Sequence, residues 1–254
     1  MNVTDPVSRS NSNAPRDFNK EAVATGERLY SYDFDNFVRQ FALRKFDPFL
    51  RPGAALELGC HAGGMTRLLL ERFPDLTVVD AAANALEEAR RLLPGHLQFV
   101  LGTFEQVVLP KRYESVFMIN VLEHVDDAVG ILARAREWMT ENGRMFLVVP
   151  NANAPSRQIA VRMGLISNNQ AVTDAEASNG HRRTYALDTF YRDLRASGLN
   201  VESLGGLVFK GLANYQIDKA LAAGIITQEY LEACFDLGNV YPDLCASLFA
   251  VCSR

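Results

Sequence analysis

The sequence predicts an α/β protein: a doubly wound, mostly parallel seven-stranded sheet with helical cap elements at its N- and C-terminal ends. Three observations predict it. From residue 54 onward, short apolar runs alternate with segments of helical period. The runs are apolar on both sides, as strands covered by helices on both faces must be. The first of them ends in a glycine turn, "GCHAGG", that feeds a helix. Right-handed crossovers between such strands place ligands at their carboxyl ends.

Each element follows in order. Residues 1 to about 20 are rich in Ser, Asn, Pro and Asp and read as a disordered arm without the apolar core of a secretion signal. Phe34, Phe37, Val38, Phe41 and Ala42 then recur at helical spacing before Pro48, so 21–50 is expected to be a helical cap that docks an aromatic face. Residues 54–58 are the first strand, and 64–73 carry Met65, Leu68, Leu69 and Phe73 on one helical side. "LTVVD" at 76–80 is the second strand, followed by a helix over 83–93 that Pro94 stops. "LQFVL" at 97–101 and "ESVFMI" at 114–119 are the third and fourth strands.

Asp127 is placed to cap a helix running to Met139, and Asn142-Gly143 turns the chain into a fifth strand, "RMFLVVP". After Pro150 the pattern loosens into one short helix at 156–163 and a long polar loop, of the kind that is usually functional or mobile. A helix over 187–196, the strand "NVESLGGLVF", two helical segments within 212–238 and the strand "CASLFAVCS" complete the chain. Residues 21–254 therefore read as a single domain.

Composition narrows the function. The chain has 254 residues, 48% of them hydrophobic, enough for one large domain with a substantial core. Its net charge of -4 offers no basic footprint for nucleic acid. The four cysteines form no CxxC pair and no His/Cys cluster has metal spacing, so reduced thiols, a cytoplasmic setting and no metal are expected. No stretch approaches the roughly 20 apolar residues of a membrane span.

Three strand ends carry candidate ligand contacts. Glu57, Gly59, Cys60, His61 and Gly63 surround the first turn, where backbone N–H groups are exposed to a ligand. His61 stands where many nucleotide loops have another glycine. Asp80, with Ala81 beside it, ends the second strand, where a carboxylate binds ribose hydroxyls or simply caps the next helix. Thr103, Phe104 and Glu105 follow the third strand, at the place of an adenine or as a further helix start.

With "NVLEHVDD" after the fourth strand, the sequence resembles the class I S-adenosylmethionine-dependent methyltransferases of small-molecule type. Glu57, Gly59 and Gly63 match the acidic-glycine loop, Asp80 the acidic residue ending strand two, and Leu122-Glu123-His124-Val125 the segment after strand four. Pro150-Asn151 and "GHRRTYALDTFYRDLRASGL" are similar to enzymes of natural-product, sugar and quinone pathways. The departure is His61 at the middle glycine.

The resemblance implies a Rossmann-like methyltransferase fold, S-adenosylmethionine as methyl donor, S-adenosylhomocysteine as product, and a small-molecule acceptor methylated on O or N. It implies that Gly59, Cys60, His61 and Asn120 approach the methionine part, Asp80 the ribose, and Thr103, Phe104 and Glu105 the adenine. Tyr30 and Tyr32 would close the pocket or merely pack on the domain. Segments 151–185 and 211–242 would wall the acceptor pocket, with Asn151, Arg182 and Tyr185 as contacts, or the latter segment would form a homodimer contact. Methyl transfer is an in-line displacement in which the protein chiefly aligns the reactants. A hydroxyl acceptor calls for a base, and of the four histidines His181 and His124 are the candidates. His61 is expected at the methionine end and not as base. A nicotinamide-dependent oxidoreductase and a non-catalytic cofactor-binding scaffold are the competing readings.

Overall fold

The computed structural model describes residues 16–23 and 32–254. Its elements, in chain order, begin with α1 (Phe18–Glu21), α2 (Asp33–Phe46), β1 (Ala55–Leu58), α3 (Gly64–Leu70), β2 (Leu76–Asp80), α4 (Ala83–Leu92), β3 (Gln98–Leu101) and β4 (Tyr113–Ile119). They continue with α5 (Ala128–Glu137), β5 (Met139–Pro150), α6 (Pro155–Arg162), α7 (Asp174–Ser178), α8 (Leu187–Ala196), β6 (Asn200–Gly206), α9 (Asn214–Ala222), α10 (Gln228–Val240) and β7 (Ser247–Ser253).

The seven strands form one sheet in the order β3-β2-β1-β4-β5-β7-β6. The first five are parallel, and β7 is inserted between β5 and β6, antiparallel to both. The sheet is thus mixed at one edge. The chain reverses its direction of travel across the sheet between β1 and β4. A crevice opens at the strand ends of such a switch point.

Side-chain alternation builds two cores. Phe117, Phe146 and Phe249 point to one face, where α2, α3, α9 and α10 cover them. Val116, Met118, Leu147 and Leu248 point to the other, under α5 and α8. The aromatic stripe of α2 docks as its spacing predicts: Phe41 stacks on Phe235 at 4.6 Å between ring centroids, and Phe46 lies 5.1 Å from Phe146. Aromatic pairs at such distances add to the burial of their area.

Several local expectations change. The chain is already in place from Arg16, and α1 forms inside the segment read as a disordered arm, capped by Asp17 accepting from the Lys20 N–H at 3.2 Å. The helix after Asp127 stops at Glu137, because Met139 already pairs with Tyr113. Pairing resumes at Ser115–Arg144, so Asn142-Gly143 turns within a bulge and not before the strand. Within the long polar loop α7 forms through a capping box: Glu176 N–H donates to Thr173 Oγ1 and Thr173 N–H to Glu176 Oε2.

Candidate active site

The turn between β1 and α3 is built on three left-handed residues. Gly59, His61 and Gly63 have φ of +78°, +46° and +80°. At Gly59 a β-carbon would lie 2.5 Å from Val121 Cγ2, and at Gly63 it would lie 2.6 Å from Leu93 Cδ1. Gly59 is therefore required by space as well as by φ, whereas at Gly63 the end of Leu93 can shift and the left-handed φ is the constraint. His61 adopts the same backbone region with a side chain, and its ring donates from Nε2 to the Ala22 carbonyl at 3.1 Å.

Asp80 locks this turn. Its Oδ2 accepts from the N–H groups of Cys60 at 2.9 Å and His61 at 3.0 Å, and its Oδ1 from Ala82 at 2.9 Å. A carboxylate offers about four acceptor positions. Three are thus taken, leaving about one for a ligand hydroxyl.

A cavity of about 610 Å³ lies over the ends of β1 to β4. Among the expected residues its wall includes Glu57, Gly59, Cys60, His61, Asp80, Ala81, Thr103, Phe104, Glu105 and Asn120. Two features of this wall call for a ligand with N–H donors. Glu57 is 1% exposed, and neither of its carboxylate oxygens has a hydrogen-bond partner. Burial pushes its carboxyl up to about 8, with the nearby Asp80 adding and the Thr66 hydroxyl and Arg39 opposing. Asn120 has φ of +55°, and its Oδ1 is buried without a partner. A buried acceptor left unmatched costs about 1–3 kcal/mol, so such atoms cluster where a ligand completes the site.

The far end of the cavity holds Glu123, His124 and His181. The two imidazoles meet edge to face, 4.6 Å between centroids, and His124 Nε2 lies 4.0 Å from Glu123 Oε1. Burial pushes the Glu123 carboxyl up to about 8. Burial, then the charges of His181, Arg16 and Arg182, hold His124 down to about 3, against a hydrogen bond to the Asn179 carbonyl. His181 is also lowered, chiefly by burial. Burial thus favours the neutral form of both rings.

The remaining expectations are distributed differently. Tyr32 lines the cavity at the start of α2, whereas Tyr30 lies outside the described residues. Gly63, Asn151, Arg182 and Tyr185 are not on the cavity wall. Asn151 donates to the carbonyls of Asp243 and Cys245, each at 2.8 Å, and Tyr185 is buried with its hydroxyl 3.3 Å from Asp193. Both hold core segments together. Arg182 reaches Asp126 and Glu21 and so fastens α1. Of the two C-terminal helices, α9 reaches the cavity through Asn214 and Tyr215.

Sequence reasoning missed Arg16 and Glu21, which pair at 2.7 Å beside the cavity, and Arg157, which pairs with Glu176 at 2.6 Å across it. The capping pattern Thr173–Glu176 was a legible signal for the second pair. No local signal marks the first. Among the described residues, no helix is long and apolar enough to cross a membrane.

Comparison with known proteins agrees with the fold. A model of a family described as methyltransferase domain matches residues 30–204. The chain is 34% identical over 112 residues to a trans-aconitate 2-methyltransferase of Rhodopseudomonas palustris, covering 43% of each chain. It is 27% identical over 114 residues to a mitochondrial ubiquinone biosynthesis O-methyltransferase of Schizosaccharomyces pombe, covering 42% of each. The matches thus span under half the length of these relatives. In fold it is similar to an S-adenosylmethionine dependent methyltransferase from Mesorhizobium loti, with a TM-score of 0.61 at 15% identity over 85% of this chain and 98% of that one. The N-methyltransferase NodS from Bradyrhizobium japonicum, in complex with S-adenosylhomocysteine, gives 0.58 at 14% identity over 92% and 94%.

Proposed function

The chain belongs to the methyltransferase-domain family, and from that premise we propose that it transfers the methyl group of S-adenosylmethionine to an oxygen or nitrogen of a small-molecule acceptor. The observation that carries this reading is the glycine turn with the orphaned Glu57 carboxyl beside it, opening on a cavity at the switch point of the sheet. When bound, S-adenosylmethionine supplies an electrophilic methyl group on a sulfonium.

The chain's own residues bind and orient. Glu57 and Asn120 offer buried acceptors to the amino group of the methionine part, and the turn at Gly59–His61 gives it close backbone approach. Asp80 keeps about one acceptor position for a ribose hydroxyl, and Thr103–Glu105 flank the adenine. The acceptor occupies the end bounded by His124, His181 and the Arg157–Glu176 pair. Neutral imidazoles there have a lone pair for the proton that the acceptor loses. Alignment of the two reactants in the cavity supplies most of the acceleration.

The His61 ring meets the Ala22 carbonyl and leaves the turn intact, which favours an active cofactor loop over a degenerate scaffold. Calorimetry tests the assignment. S-adenosylhomocysteine should bind at one site per chain, and Glu57→Gln should weaken it about tenfold, the loss of one charged hydrogen bond. Binding of NADH in its place would point to the oxidoreductase instead.

A further inference from the structure

We infer that Glu123, His124 and His181 form a binding site for one divalent transition-metal cation at the acceptor end of the cavity. This rests on the reading of the cavity as a methyl-transfer site and adds a ligand set to it. One donor atom from each of the three side chains lies within 4.8 Å of the others. A small inward movement brings such donors to about 2.0–2.2 Å from a common ion. Two imidazoles and a carboxylate suit zinc, iron, cobalt or nickel better than magnesium or calcium.

The buried polar atoms point to the same ligand. Glu123 is 1% exposed, lines the cavity, and has no hydrogen-bond partner at either carboxylate oxygen. Nδ1 of His181 is likewise buried and unpartnered. Buried polar atoms of this kind, on residues that also bring a donor atom within 4.8 Å of one another, lack a partner that a cation would supply. The ring of His124 packs edge to face on that of His181, 4.6 Å between centroids, which holds the two imidazoles together.

The backbone holds the donors together. The Arg182 N–H donates to the Glu123 carbonyl at 2.8 Å, and the His181 N–H to the Glu176 carbonyl at 2.9 Å. Carboxylates offset part of the positive charge of the guanidinium groups nearby. Arg16 pairs with Glu21, Arg157 with Glu176, and Arg182 with Glu21 and Asp126. In the loaded protein the lone pairs of the two histidines are committed to the ion. An acceptor hydroxyl bound to that ion has a lowered pKa and loses its proton to solvent. Its oxygen then attacks the methyl carbon, and the C–S electron pair returns to sulfur.

The test titrates the chelator-treated full chain with Co²⁺ alone and follows its visible d–d absorption. The expected result is one ion per chain. Glu123→Gln and His181→Asn should each weaken binding about tenfold or more, while His96→Ala, at an exposed histidine, leaves it unchanged. A saturable spectrum that never develops, or equal affinity in the Glu123→Gln and His181→Asn proteins, overturns the site. Calorimetry with S-adenosylhomocysteine on the same proteins reports on folding and on the underlying reading. If S-adenosylhomocysteine binds and Co²⁺ does not, the metal site alone is refuted. Binding of Co²⁺ without S-adenosylhomocysteine keeps the metal site and refutes the methyl-transfer reading.

Discussion

His61 and Gly59 share the left-handed backbone of the turn for opposite reasons. A β-carbon at Gly59 collides with Val121, whereas the His61 side chain has room along the cavity wall, where its ring meets the Ala22 carbonyl. Gly59→Ala should therefore cost about 3 kcal/mol, combining left-handed strain with overpacking. Denaturant unfolding would measure this, and Val121→Ala in the same chain should restore part of it. His61→Gly relieves backbone strain and removes one contact to the N-terminal segment. Methyl transfer should persist with a severalfold higher KM for S-adenosylmethionine. Loss of the chemical step at unchanged cofactor affinity would show that the histidine is catalytic. The turn's glycines were legible in the sequence because backbone chemistry is local. The direction of the His61 ring was not, because its partner lies in α1's flank.

Among the elements, α1 and α2 show how tertiary contacts complete what local pattern begins. The apolar spacing of α2 announced its buried face, but its first turn is capped from a distant helix. Asp218 of α9 accepts from the N–H groups of Asp33 and Phe34 at 3.0 and 2.8 Å. The four-residue α1 is too short to be stable by itself. It is held by Glu21, which pairs with Arg16 at 2.7 Å and Arg182 at 3.2 Å. These partly exposed pairs contribute little to global stability, typically below about 1 kcal/mol each. Their task is to keep α1 over the cavity. Glu21→Ala should leave the melting temperature nearly unchanged and raise the Kd for S-adenosylhomocysteine by about three- to tenfold, read by calorimetry. An unchanged Kd would mean that α1 does not contribute to the cofactor site.

For the whole molecule, the burial of Glu57 is written into its pH dependence. Glu57 is held at about 8 in the folded chain, against about 4.3 when unfolded. Between these values the unfolded chain gives up the proton first, so stability falls as pH rises, by up to about 1.4 kcal/mol per unit for this group. Replacing Glu57 with Gln removes that slope. The stability of the ligand-free wild type relative to Glu57→Gln should therefore decline from about pH 5 to pH 8, as measured by urea unfolding across that range. A difference that stays flat would show that Glu57 ionises freely.

The sequence by itself determined the seven strands with the longer helices between them, the turn at Gly59–Gly63 and the carboxylate at Asp80. Each depends on side-chain period or backbone conformation within a few neighbouring residues, and such signals survive without the rest of the fold. Only the tertiary structure decided that β7 inserts antiparallel between β5 and β6, that Asn151 and Tyr185 serve the core, and that α1 folds back beside the cavity. The same holds for the meeting of Glu123 and His124 with His181. These features depend on which distant groups satisfy one another once water is excluded, and that choice belongs to packing and buried polar pairing, not to any local pattern.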